Sequence, residues 1–126
     1  MTLFKSLLSM LLLASANLAS ALDIQPYSAL ALADLQDAGK PVALHFHADW
    51  CPTCRAQEKI FNGWKGDAAV PGTLLVVNYD NERELKKKLG VRSQSTLIVF
   101  KGKAETARLA GDTDPKALAQ ALGSAR

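Results

Sequence analysis

Two cysteines are the only ones in 126 residues, and they stand together as Trp50-Cys51-Pro52-Thr53-Cys54-Arg55. An apolar strand-like run, Val42 to Ala48, leads into the motif, and a helical run, Thr53 to Asn62, leaves it. A chain built this way must pass from a buried strand straight into a helix whose first turn carries both thiols. There, unpaired backbone N–H groups and the positive end of the helix dipole favour a thiolate. Cys51 is therefore the expected nucleophile. Cys54, three residues on and one turn inside, can close a disulfide with it and is the expected resolving thiol.

The first residues suggest where this chemistry takes place. Lys5 precedes an apolar stretch, Leu7 to Ala16, and Ala19-Ser20-Ala21 has the small-residue pattern of a secretory cleavage site. Residues 1–21 are expected to be a signal peptide and residues 22–126 one domain. The apolar stretch is short of the roughly 20 residues that a spanning helix needs. A soluble chain in the periplasm, or otherwise exported, is expected, in a compartment where thiols can oxidise. The formal charge of +3 falls to +2 without Lys5. That weak balance gives no reason to expect nucleic acid as a partner, and Lys86-Lys87-Lys88 reads as a solvated helix face.

Beyond the leader, helix and strand alternate. Ser28 can cap a helix running to Ala38, with Gly39 and Pro41 ending it. A strand over Val42 to Ala48 precedes the CxxC helix. After Pro71-Gly72 come a second apolar strand, Thr73 to Tyr79, and a helix from Glu82 to Leu89 stopped by Gly90. Thr96 to Phe100 and Glu105 to Leu109 flank Gly102 as a hairpin. Asp114-Pro115 starts a last helix to about Leu122. The pattern implies an α/β fold, a central mixed sheet with helices on both faces.

On these residues the chain resembles the thioredoxin-fold proteins. His45 to Gly111 can be laid on the thioredoxin pattern without a gap, including the W-C-x-x-C-R helix, Asp80, Gly90-Val91-Arg92, Thr96 to Phe100 and Gly111. Gly39-Lys40-Pro41-Val42 and Ala48-Asp49-Trp50-Cys51 are similar to the exported C-terminal domain of transmembrane thiol:disulfide interchange proteins. The resemblance implies a three-layer α/β/α sandwich and a substrate-facing rim of Trp50, Pro52, Gln94, Ser95 and Gly111. It also implies substrate proteins bearing disulfides and a membrane thiol conduit as reductant. No bound cofactor is indicated, and a monomer is expected.

Three positions depart from the family. Ser95 stands where the family carries a cis-proline. A cis bond before a non-proline residue costs about 3 kcal/mol, so Gln94–Ser95 is expected to be trans. Either the amide or the hydroxyl of Ser95 could donate to a Cys51 thiolate. His45 stands where thioredoxins usually have a buried acid, and the lysine that accompanies that acid falls at Val76. On a strand His45 and His47 point to one face, and by resemblance that face lies under the active site. His45 could take the proton of Cys54 as base, or it could be a core histidine tied to backbone. The third departure is Pro52-Thr53 between the cysteines, which puts proline first, as glutaredoxins and strongly oxidising exported enzymes do.

A purely structural clip explains the cysteines poorly, since closing so short a ring stabilises by only about 2 kcal/mol. His45, His47, Cys51 and Cys54 could also form a Cys2His2 set for copper or zinc, although H-x-H followed by CxxC is not a familiar zinc spacing. Asp49 and Arg55 flank the motif as exposed charges, and Trp64 is expected in the core. The expectation is a dithiol oxidoreductase working as a reductase through Cys51 and Cys54. A dithiol oxidase and a metal-binding protein are the alternatives, and no metal site is assigned.

Overall fold

The fold is a computed structural model that describes residues 21–126. Apart from Ala21, the expected leader lies outside the described residues. The described residues form four helices, α1 (Ala29–Asp37), α2 (Pro52–Trp64), α3 (Arg83–Leu89) and α4 (Pro115–Gly123). Five strands, β1 (Asp23–Pro26), β2 (Pro41–His47), β3 (Thr73–Asn78), β4 (Thr96–Lys101) and β5 (Ala104–Ala110), form one sheet in the order β1-β3-β2-β4-β5. The β1–β3 and β2–β3 pairs are parallel, and β4 runs antiparallel to both β2 and β5. The expected mixed α/β sandwich is thus the observed fold.

Local chemistry sets the element ends much as expected. The Ser28 hydroxyl accepts from the Ala31 amide at 3.0 Å, and an Asp114 carboxylate oxygen accepts from the Lys116 amide at 3.1 Å. Gly90 ends α3 in the left-handed conformation at φ 67°. Gly72 admits no side chain, because a Cβ there would lie 2.8 Å from the Pro41 carbonyl oxygen. The strand β1 was not anticipated. Asp-Ile-Gln-Pro is too short and polar to announce itself, and becomes a strand only by pairing with Thr73–Val76 of β3.

Because side chains alternate along β2, the strand feeds two different layers. Val42, Leu44 and Phe46 enter an apolar cluster with Leu75, Val77, Ile98 and Phe100, on which Leu32 and Leu35 of α1 pack. Ala43 faces the opposite way, into a cluster with Phe61 of α2 and with Leu118, Ala121 and Leu122 of α4. His45 and His47 share this second face. Their rings lie 5.5 Å apart, and His45 meets Phe61 edge-on at 5.0 Å. Trp64 is half-buried beside Phe61, with ring centroids 6.3 Å apart.

Candidate active site

Cys51 is the N-cap of α2, in extended conformation at φ −93°, and Pro52 opens the helix. This makes the sulfur itself the capping acceptor, and the Cys54 amide donates to Cys51 Sγ at 3.1 Å. Along α2 the buried positions are Cys54, Gln57 and Phe61, one inward stripe at helical spacing. Both thiols are buried. They form a small cluster with Ala48, against which Tyr79 packs. Trp50, 59% exposed, stands outside them, and its indole N–H donates to Asp80 at 2.8 Å.

The loop facing the thiols carries Ser95. The described residues contain no cis peptide bond, so Gln94–Ser95 is trans as expected. Ser95 nevertheless adopts φ 66°, and it is the only non-glycine residue with positive φ among those described. Its amide does not reach a sulfur; it donates to the Phe46 carbonyl at 2.9 Å. The hydroxyl does reach them. Ser95 Oγ lies 3.2 Å from Cys51 Sγ and 3.0 Å from Cys54 Sγ, a bridge between the two thiols.

These contacts separate the acidities of the pair. Burial pushes the Cys51 thiol up, but hydrogen bonds from the Cys54 thiol, the Ser95 hydroxyl and the amides of Cys54 and Thr53 outweigh it and hold Cys51 below its ordinary value. Burial pushes Cys54 up as well. There the hydrogen bond to Cys51 adds to the rise and Ser95 only moderates it. Cys51 is thus the more acidic thiol and Cys54 the less acidic one, the division that the helix position had suggested.

His45 is not where a base for Cys54 was expected. Its Nε2 lies 2.8 Å from Gln57 Oε1, and among the described residues it forms no hydrogen bond with Cys54. The contacts of Cys54 Sγ are Ser95 Oγ and, at 3.9 Å, the Phe46 carbonyl. Burial lowers the His45 pKa to about 4, against the opposing hydrogen bond with Gln57, so the ring is neutral at neutral pH. Among the described residues, its hydrogen-bonded path to the thiols runs through Gln57 and Ser95. His45 also borders a small cavity of about 50 Å³ with Val76, Glu58 and Asn62.

The alternative Cys2His2 set is not assembled among the described residues. His47 turns away from the sulfurs, with Nε2 2.8 Å from Glu58 Oε2 but out of line for a hydrogen bond, and Nδ1 3.6 Å from Asp49. Among the described residues no three His, Cys, Asp or Glu side chains converge as ligands. Of the expected rim, Ser95 and Gly111 are joined directly, the Gly111 amide donating to the Ser95 carbonyl at 3.1 Å. Pro52 is exposed at the start of α2 and Gln94 is half-buried beside Ser95. Gln57 was missed. Its signal was present as a glutamine on the same helical stripe as Cys54 and Phe61, a place where an apolar residue is usual.

A family model described as thioredoxin matches residues 29–124. The chain belongs to the thioredoxin family. Thioredoxin from Alicyclobacillus acidocaldarius subsp. acidocaldarius is 33% identical over 72 residues, which cover 57% of this chain and 69% of that protein. Thioredoxin 1 of Nostoc sp. is 29% identical over 93 residues, or 71% and 83% of the two chains. The crystal structure of Trxlp from Edwardsiella tarda EIB202 superposes with a TM-score of 0.75 at 34% identity, covering 79% of this chain and 98% of that one. Thiol–disulfide exchange is the chemistry of this thioredoxin-family oxidoreductase, and Cys51 and Cys54 are the pair its fold brings together.

Proposed function

We propose that this thioredoxin-family chain is an exported protein-disulfide reductase acting as a monomer in the periplasm or an equivalent compartment. The observation that carries the direction is the neutrality of the groups acting on Cys51. A thiol, a hydroxyl and two amides lower its pKa, and no cationic side chain is among them. Neutral donors stabilise a thiolate less than a nearby cation does. Since thiolate stabilisation favours the reduced form, a thiol served by neutral donors favours a more reducing couple than one served by a cation.

In this reading Cys51 thiolate attacks a substrate disulfide, forming one S–S bond to Cys51 and expelling the other substrate sulfur as a thiolate. Cys54 then attacks Cys51, the mixed disulfide breaks, and the Cys51–Cys54 disulfide forms. The substrate has gained two electrons and the enzyme has lost them. The proton released by Cys54 ends on the second departing sulfur. Ser95 Oγ, within hydrogen-bond distance of both cysteines, can accept from the one side while donating to the other. A membrane thiol conduit would return the electrons. Export is supported by Lys5, the apolar run after it and Ala19-Ser20-Ala21.

The test is the reduction potential of the Cys51–Cys54 couple. A value near that of thioredoxin, about −270 mV, is expected, and one close to the oxidant end near −120 mV would make the chain an oxidase. Cys51→Ser should abolish disulfide reduction, and Cys54→Ser should trap a mixed disulfide through Cys51.

A further inference from the structure

Gln57 is completely buried on the inner face of α2, one turn beyond Cys54. A buried amide is costly unless its hydrogen bonds are made, and here all of them are made by a specific set of partners. Gln57 Nε2 donates to the Asp112 carbonyl at 2.8 Å and to the Ser95 carbonyl at 3.1 Å. Both amide protons are then in use, so Oε1 is an acceptor and His45 Nε2 at 2.8 Å must be its donor. One side chain thus ties together β2, the loop before β4 and the turn after β5.

What it ties down is a strained residue. A serine at φ 66° occupies a region that disfavours side chains by about 1–2 kcal/mol, and such a conformation persists only when its surroundings over-determine it. The Ser95 amide is held by Phe46, and its carbonyl accepts from both Gly111 and Gln57. Of these three anchors Gln57 is the only side chain. We propose that Gln57 is the positioning residue of the thiol pair: its amide fixes Ser95 in the left-handed conformation that sets the hydroxyl between the two sulfurs. The reaction chemistry stays with Cys51, Cys54 and Ser95, and Gln57 acts on it through Ser95. The inference rests on the exchange chemistry proposed for the same site and extends it to a residue that touches neither sulfur.

Gln57→Met keeps the length and removes every polar contact. The rate of Cys51 alkylation by iodoacetamide, followed against pH, reads the thiolate directly and needs neither substrate nor reductant. The Cys51 titration should move to higher pH in Gln57→Met, with the rate on the acid side falling about tenfold, the change that one pKa unit brings. In a Ser95→Ala background the same substitution should cause no further shift. An unmoved titration, or an equal shift in both backgrounds, would overturn the proposal, because Gln57 would then be a structural amide that does not work through Ser95. A chain lacking reductase activity but showing the predicted titrations would instead refute the proposed function and leave the positioning role in place. A second measurement, on the unmodified protein, holds even if Gln57→Met fails to fold. Both side-chain amide protons of Gln57 should be strongly protected from hydrogen exchange, and exchange at the rate of a free glutamine amide would overturn the proposal.

Discussion

The two faces of the sheet are built from the same strands and are chemically unlike. On the α1 and α3 side, β2 contributes Val42, Leu44 and Phe46 to a cluster of aliphatic and aromatic side chains, with Thr96 the one buried polar residue beside it among those described. On the α2 and α4 side the next residues of the same strand include His45 and His47, and above them lie Gln57, Ser95 and both thiols. The first face is set mainly by shape and volume, its Thr96 hydroxyl donating locally to the Ser93 carbonyl. The second must also satisfy each buried polar atom, which couples its packing to protonation and to redox state. Stability is supplied by both layers, but the chemistry sits over the polar one.

Several measurements would break or sharpen this contrast. The largest effect belongs to the apolar face, where Phe46→Ala should cost about 3–5 kcal/mol in urea unfolding at neutral pH, as large aromatic deletions in cores do. A cost that changed strongly with pH would mean that this face is not the passive one.

On the polar face, acid should act through His45. Its folded pKa of about 4 lies below the ordinary 6.5, so folding retains the neutral ring. The contribution is therefore complete above pH 6.5 and is lost as the pH falls towards 4, where the unfolded chain has gained a proton that the folded chain resists. Between pH 7 and pH 4 the unmodified protein should lose about 3 kcal/mol more stability than His45→Leu. Identical slopes for the two proteins would remove His45 as a pH-sensitive element.

Ser95→Ala should have a smaller effect on the thiols themselves. Losing the hydroxyl should raise the Cys51 pKa and make the couple more reducing, by about 30 mV for each pKa unit. A titration of Cys51 that does not change would mean that the amides carry the thiolate alone. Ser95→Pro, in contrast, should not restore the family's loop without rearrangement. Proline cannot adopt φ 66° and would delete the hydrogen bond to Phe46.

The smallest effect is expected at Leu30, which is 71% exposed on α1. Leu30→Ser should change stability by less than about 0.5 kcal/mol, because little apolar area leaves the core. A loss above 1 kcal/mol would show that α1 buries more than its described contacts account for.

The sequence by itself determined the parts of this protein that depend on neighbours along the chain. The CxxC between strand and helix, the caps at Ser28 and Asp114, the Gly90 stop and the hairpin at Gly102 are all local signals, and each recurs in the fold at nearly the expected position. The likeness to thioredoxin was legible for the same reason, since its motifs are short and contiguous. Even the trans bond before Ser95 followed from the local cost of the alternative. What only the tertiary structure decided lies between distant segments. The strand β1 exists because β3 pairs with it. His45 faces Gln57 and not Cys54, and the left-handed turn of Ser95 is held from β2, α2 and the turn after β5 together. Periodicity along α2 places Gln57 on the same face as Cys54, but it contains no information about which carbonyls of other segments will meet that amide. Those partners are set by how the sheet and helices pack, and the same packing aims the serine hydroxyl at both sulfurs.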